Sequence, residues 1–126
     1  AAAICRAVKA AAPEAMLLAL SGSEMIKAAQ TLGLRVCSEV FADRGYQPDG
    51  TLVPRGKPGA MIENEEEAIA RVLQMAKQGT VCAVDGSAVA LKADSVCVHG
   101  DGPKALAFVR KISAALPAAG VEIKAQ

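Results

Sequence analysis

The chain has 126 residues, a length that fits one domain. Fourteen Lys and Arg residues against thirteen Asp and Glu residues give a net charge of +1, which provides no field for holding nucleic acid or an anionic membrane. Apolar residues make up 52% of the sequence, which excludes a disordered chain, and no apolar run approaches the ~20 residues of a membrane span.

Helix and strand signals alternate along the chain. In chain order they are a helix over 2–12, a strand over 16–20, a helix over 24–32, a strand over 34–41, a long loop over 42–59, a helix over 65–78, a hairpin over 80–84 and 88–91, a strand over 95–99, a helix over 104–116 and a short strand over 121–123. Ser23 and Asn64 are N-cap candidates, and Gly33 and Gly79 are helix stops. This alternation predicts an α/β fold with parallel strands and one β-hairpin.

The beginning of the chain and its cysteines bear on location. Charged residues interrupt the alanine-rich opening, so it indicates a helix in progress rather than a signal peptide, and we expect the chain to begin inside a larger protein. The four cysteines show no C-x-x-C spacing and are most simply thiols of a reducing cytosol, which predicts a cytoplasmic protein without a metal site.

Polar residues cluster where the strand over 34–41 runs into its loop. Glu39 lies inside the apolar strand, where a carboxylate needs a partner, and Asp43 and Arg44 follow the strand end. With Arg55, these side chains could bind a carboxylate or phosphate, since guanidinium groups pair bidentately with both. The alternative is a long ordered loop held by internal salt bridges, and the residue types favour neither interpretation.

A second cluster follows the strand over 95–99. His99 is the only histidine in the chain, and Asp101 comes before the last helix. Together they could serve general acid-base chemistry, while a structural histidine and a helix cap are the simpler alternatives. If the strands are parallel, both clusters and the turn at 21–23 lie at one edge of the sheet. The sequence contains no Walker loop, no G-x-G-x-x-G fingerprint and no G-x-S-x-G elbow.

Two long motifs carry a resemblance. The segments EVFADRGY (39–46), continuing to DGTLVPR (49–55), and ADSVCVHGD (93–101) resemble the C-terminal half of the LamB/YcsF family in order and spacing. The resemblance implies a distorted seven-stranded TIM-like (β/α) barrel, related to polysaccharide deacetylases. The family's first-half motifs are absent, so residues 1–126 are expected to form a single domain that is half of a larger barrel. This half is expected to be inactive alone and to require a second copy or the other half for solubility.

The resemblance also implies an activity. The family opens the 5-oxoproline lactam to L-glutamate using ATP, with Mg²⁺, as the A subunit of 5-oxoprolinase together with the B and C subunits. The catalytic residues implied for this chain are Glu39, Asp43, His99 and Asp101, and the substrate-binding residues are Arg44, Tyr46 and Arg55. ATP is expected to be handled by the complex.

Two other functions remain open from the sequence. The chain could be a non-catalytic assembly component of that complex. It could also be a metal-dependent amide or sugar hydrolase of carbohydrate metabolism, although it contains few ligands for a metal.

Overall fold

Helices and strands alternate in the computed structural model, which describes residues 1–100 and 105–125. The elements are α1 (Ala2–Ala11), β1 (Met16–Leu20), α2 (Glu24–Thr31), β2 (Arg35–Phe41), α3 (Glu65–Gln78), β3 (Thr80–Cys82), β4 (Ala88–Ala90), β5 (Ser95–Cys97) and α4 (Ala105–Ala118). The predicted α/β class with parallel strands is therefore confirmed, and the arrangement is consistent with part of a β/α barrel. Among the described residues, no helix is long and apolar enough to cross a membrane.

Three parallel strands form the main sheet, in the order β1-β2-β5. Leu20 of β1 is level with Glu39 of β2, and Glu39 is in turn level with Ser95, the first residue of β5. The strands are therefore staggered, with β5 beginning where β1 ends. Their carboxyl ends point the same way, which places the segments after β2 and β5 side by side.

Alternate residues of the sheet face two different environments. Leu17 and Val36 pack with Cys5 of α1 and Ala29 of α2 in a small apolar cluster. Further along the same face, Val40 belongs to the larger core, which is formed with α3, α4 and the β3–β4 hairpin. The intervening residues point to the opposite face, here called the second face, which comprises Leu18, Cys37, Glu39, Phe41, Ser95 and Cys97. Within the described ranges, the helices pack on the face that carries Leu17, Val36 and Val40. On the second face, Leu18 is 54% exposed.

Local signals fix the start of α2 and both ends of α3 as predicted, whereas α4 continues past the predicted end at residue 116 to Ala118. The Ser23 hydroxyl accepts a hydrogen bond from the Ile26 N–H at 3.4 Å, and the Asn64 side chain accepts one from the Glu67 N–H at 3.0 Å. Gly79 ends α3 with a φ of 64°, in the left-handed region that favours glycine. The 65–78 prediction matches α3 residue for residue.

Two strand predictions need correction. The strand predicted over 121–123 does not form: residues 121–125 are irregular, because the Val121 N–H bonds to the Leu116 carbonyl of α4 instead of to a strand. The strand predicted over 95–99 ends at Cys97, because its pairing with β2 ends at Phe41. The predicted hairpin does form, as a two-stranded sheet separate from the main one.

The long loop between β2 and α3 is folded back on itself. Isolated bridges join Arg44 to Met61 and Tyr46 to Leu52. Gly45 lies so close to Gly59 that a Cβ placed on Gly45 would be 1.9 Å from the Gly59 carbonyl oxygen. The loop is thus an ordered structure held by its own contacts, and its first residues belong to the candidate site.

Candidate functional site

Asp43 and His99 form a hydrogen-bonded pair at the carboxyl ends of β2 and β5. The His99 Nδ1 lies 2.9 Å from Asp43 Oδ1 and 3.0 Å from Oδ2, and the His99 backbone N–H donates to Oδ2 at 3.2 Å. Since an ionised carboxylate only accepts hydrogen bonds, this geometry selects the tautomer with the proton on Nδ1. Within residues 1–100 and 105–125, the His99 Nε2 has no hydrogen-bond partner and remains available for chemistry.

The pairing register of the sheet explains why these two residues meet. Phe41 is level with Cys97, and Asp43 and His99 each follow two residues later, just beyond the ends of these neighbouring strands. The Phe41 ring meets the imidazole edge to face, with 5.2 Å between ring centroids. The Asp43 side chain is 13% exposed and the His99 side chain 26%, so the pair is sheltered but reachable.

Glu39 lies one step further back on the second face. It is half-buried, and no hydrogen bond or ion pair of its carboxylate occurs within the described part of the chain. Burial raises the pKa of the neighbouring Cys97 thiol, and the charges of Glu39 and Asp43 raise that pKa further. Cys97 is therefore held as a neutral thiol, which argues against its use as a nucleophile.

Arg44 and Tyr46, predicted to bind substrate, point into the protein. Arg44 is 7% exposed, and its guanidinium donates to the Ala60 carbonyl at 3.0 Å and to the Val53 carbonyl at 2.8 Å. The Tyr46 hydroxyl accepts the Phe41 N–H at 3.0 Å, and burial raises the pKa of this phenol. These contacts hold the loop together, and the substrate-binding roles of both residues stay predictions.

Neither of the two remaining predicted site residues is shown at this pair. Arg55 is exposed on the loop, with no side-chain hydrogen bond or ion pair within the described residues. Asp101 lies outside the described residues. The substrate-binding role predicted for Arg55 and the catalytic role predicted for Asp101 stay predictions.

The turn after β1 opens into a separate groove. This groove has a volume of about 530 Å³ and is lined by residues 20–24, 48–51 and 88–91, so it includes neither Asp43 nor His99. Ser21 is buried there and accepts the Lys92 N–H at 3.0 Å. As far as they are described, the three loop segments predicted at one sheet edge do follow the carboxyl ends of neighbouring parallel strands. The Ser21 N–H donates to the Glu39 carbonyl at 2.8 Å, so the turn after β1 adjoins β2, although its groove does not include the Asp43–His99 pair. Among the described residues, no group of three or more His, Cys, Asp or Glu side chains is placed to hold a metal ion.

Sequence reasoning missed Arg71 on α3. The residue is 9% exposed, and its side chain donates to the Cys82 carbonyl at 3.0 Å and to the Arg44 carbonyl at 3.3 Å. The signal was available, because Arg71 occupies the buried stripe of α3 with Ala68, Val72 and Met75 at helical spacing.

Comparison with known proteins identifies the family. The profile of the LamB/YcsF family matches residues 1–126, the whole chain. The chain belongs to the LamB/YcsF family. The resemblance of the two motifs is thereby confirmed.

Individual relatives agree with this assignment. A protein of Neisseria meningitidis serogroup A, named as the A subunit of 5-oxoprolinase, is 58% identical over 113 residues, which cover 90% of this chain and 46% of that protein. The Clostridium beijerinckii protein of the same name is 54% identical over 121 residues, covering 96% of this chain and 48% of that protein. The crystal structure of a lactam utilization protein from Thermus thermophilus matches with a TM-score of 0.89 at 43% identity, over 98% of this chain and 49% of that chain.

The chain thus spans about half the length of the curated relatives that it matches. Their shared name identifies each as one component of a multi-subunit enzyme. The close structural match extends over nearly the whole of this chain, so it includes both strand ends that carry Asp43 and His99.

Proposed function

We propose that this chain forms part of the catalytic site of the A subunit of a 5-oxoprolinase, in which His99 moves the protons of lactam opening. The Asp43–His99 pair is the observation that carries the proposal: it lies at the carboxyl ends of parallel strands, where α/β proteins place reactive groups. The names of the relatives supply the substrate class, a five-membered lactam that bears a carboxylate.

The proposed chemistry needs one base that becomes an acid. The His99 Nε2 takes a proton from water as the water oxygen bonds to the lactam carbonyl carbon. As the carbon–nitrogen bond of the tetrahedral intermediate breaks, the same nitrogen returns that proton to the departing amine, so the imidazole ends as it began. One histidine therefore accounts for both proton transfers.

In this proposal, Asp43 is a positioning residue. By accepting both the backbone and the Nδ1 hydrogens of His99, its carboxylate fixes the tautomer and stabilises the imidazolium formed during the reaction. The family resemblance implies a catalytic role for Asp43 itself, whereas its hydrogen bonds to His99 favour action through that residue.

Glu39 has a different place in the proposed site. Its carboxylate lies on the second face of the sheet without a partner in the described residues, and a carboxylate there can accept the lactam N–H. We propose that it orients the ring so that the carbonyl carbon faces the water held by His99.

The remainder of the proposed enzyme lies beyond these residues. We place the chain in a seven-stranded TIM-like barrel completed by the other half of the family length, acting in the cytoplasm with the B and C subunits. ATP, with its Mg²⁺, is a substrate of that complex, and none of the proposed steps runs through it.

The test measures glutamate formed from 5-oxoproline and ATP. It uses the family-length protein, in which these 126 residues are joined to the other half, mixed with the B and C subunits. His99→Gln is expected to lower kcat by about 10²–10⁴-fold, the usual contribution of a general acid-base. Asp43→Asn is expected to lower kcat by about 10²-fold or more, because an amide can donate to Nδ1 and favour the wrong tautomer.

Asp85→Asn is the matched control. Asp85 is an exposed hairpin carboxylate that accepts from the Ser87 N–H at 2.9 Å, so the same chemical change there should leave kcat unchanged. Near-normal turnover of both His99→Gln and Asp43→Asn would refute the catalytic role. If the complex still required the chain for turnover, that result would favour a non-catalytic role in assembly.

A further inference from the structure

Two buried arginines, Arg44 and Arg71, have no carboxylate partner among the described residues. Arg71 is 9% exposed and Arg44 is 7% exposed, yet neither forms an ion pair within the described parts of the chain. Both guanidinium groups donate to backbone carbonyls instead. Burying a positively charged side chain is unfavourable. Because both arginines use their donors only to bind backbone carbonyls, we infer that the backbone they bind has to be held in place.

The contacts form a continuous connection from α3 to the site. Arg71 donates through one terminal nitrogen to the Cys82 carbonyl of β3 and through the other to the Arg44 carbonyl. Arg44 in turn donates to the carbonyls of Val53 and Ala60 across the loop. The planar guanidinium suits this use, because its donors diverge in a fixed geometry that lysine lacks.

The Arg44 carbonyl that Arg71 holds belongs to the residue directly after Asp43. The Asp43 carbonyl accepts the Ile62 N–H at 2.9 Å, so two successive carbonyls are fixed beside the carboxylate that orients His99. The Arg71 Nε is buried without a hydrogen-bond partner in the described residues, so the side chain is placed by its two terminal donors alone.

We propose that Arg71 is a positioning residue for the Asp43–His99 pair, holding the Arg44 carbonyl so that the Asp43 carboxylate meets the His99 Nδ1. The expected effect on kcat rests on the proposed function, whereas the expected effect on the His99 tautomer rests on the hydrogen bonds alone. The proposal assigns a role to a helix residue outside both sequence motifs.

The kinetic test is a double-mutant cycle in the family-length protein with the B and C subunits. Arg71→Met is expected to lower kcat by about 10–100-fold with KM little changed, the effect typical of losing a group that orients a reacting residue. In the Asp43→Asn background the same change should lower kcat little further, because the residue through which Arg71 acts is already lost. An equal fold-loss in both backgrounds would overturn the proposal, since it would indicate an independent structural effect.

Gln74→Met is the matched control. Gln74 also connects α3 to the hairpin, through a 3.2 Å hydrogen bond to the Thr80 hydroxyl, and this bond does not involve the loop between β2 and α3. The variant should retain wild-type kcat, and a loss as large as that of Arg71→Met would refute the positioning role. If Arg71→Met does not fold, Arg71→Lys decides: its single ammonium group should lower kcat to an intermediate level, and wild-type kcat would overturn the proposal.

Nitrogen NMR separates this inference from the proposed function. Long-range ¹H–¹⁵N spectra report which ring nitrogen of His99 carries the proton, with the signal assigned by its absence in His99→Gln. Arg71→Met should convert a pure Nδ1–H tautomer into a mixture, while Gln74→Met should not. A mixture together with undiminished turnover of His99→Gln would sustain the positioning role and refute the catalytic one. An unchanged tautomer in Arg71→Met would refute the positioning role itself.

Discussion

Gly45 is the glycine of the loop between β2 and α3 that should tolerate substitution least. An added Cβ would lie 1.9 Å from the Gly59 carbonyl oxygen and 3.3 Å from a Val53 methyl carbon, so the two loop segments would have to separate by about 1 Å. That shift disrupts the hydrogen bonds that the Ala60 carbonyl accepts from the Gly45 N–H and from Arg44. With overpacking at about 1–3 kcal/mol and each net hydrogen bond at about 1 kcal/mol, Gly45→Ala should destabilise the fold by about 3 kcal/mol or more.

Thermal unfolding of the family-length protein measures this destabilisation. For domains of about 150–250 residues, 1 kcal/mol corresponds to about 2–4 °C, so Gly45→Ala should lower Tm by about 6–12 °C. Gly100→Ala is the control, because no atom of the described residues lies within 4 Å of its Cβ position and its φ is not in the positive region. Equal Tm values for the two variants would refute the close approach of the segments at Gly45 and Gly59.

Three further changes test the helix cap, the core and the buried phenol. Asn64→Ala removes the side-chain cap of α3 and should lower the free energy of unfolding in urea by about 1 kcal/mol, whereas Asn64→Ser should retain most of it. Met75→Ala empties a core position that is 1% exposed and should lower that free energy by about 2–5 kcal/mol, against less than about 0.5 kcal/mol for the exposed Gln78→Ala. Because burial raises the pKa of Tyr46, the unfolded state loses this proton first, above about pH 10, and stability should fall as pH rises further. Tyr46→Phe should remove that part of the fall in the free energy of unfolding, measured by urea titration at alkaline pH, although it also loses the acceptor for the Phe41 N–H. An unchanged fall in that free energy would contradict the burial of Tyr46.

Local chemistry explains how far the sequence predicts the fold. Ser23, Asn64 and Gly79 act through neighbours within a few residues, so the boundaries they set are readable from the sequence. The strand predicted over 121–123 fails for the opposite reason. A strand requires a partner, and Val121 instead folds back to the Leu116 carbonyl at the end of α4.

The same distinction between local and long-range contacts applies to the candidate site. The parallel-strand argument places Asp43 and His99 at one sheet edge, and the register then brings them within hydrogen-bond distance. Arg44 shows where residue type is insufficient. An arginine that follows a strand can bind an anion or the carbonyls of its own loop. Arg44 binds its own loop because the loop folds back and brings the carbonyls of residues 53 and 60 next to its guanidinium.

Arg71 extends this argument from single residues to the whole loop. A charged residue in the buried stripe of a helix requires partners, and the sequence shows that requirement without showing where the partners come from. The partners are the carbonyls of residues 44 and 82, which are 27 and 11 positions away along the chain. The sequence does not show which residues will be these partners, and the same long-range contacts connect α3 to the backbone beside Asp43. A substitution on α3, distant from both motifs in the sequence, is therefore expected to alter the geometry of the Asp43–His99 pair.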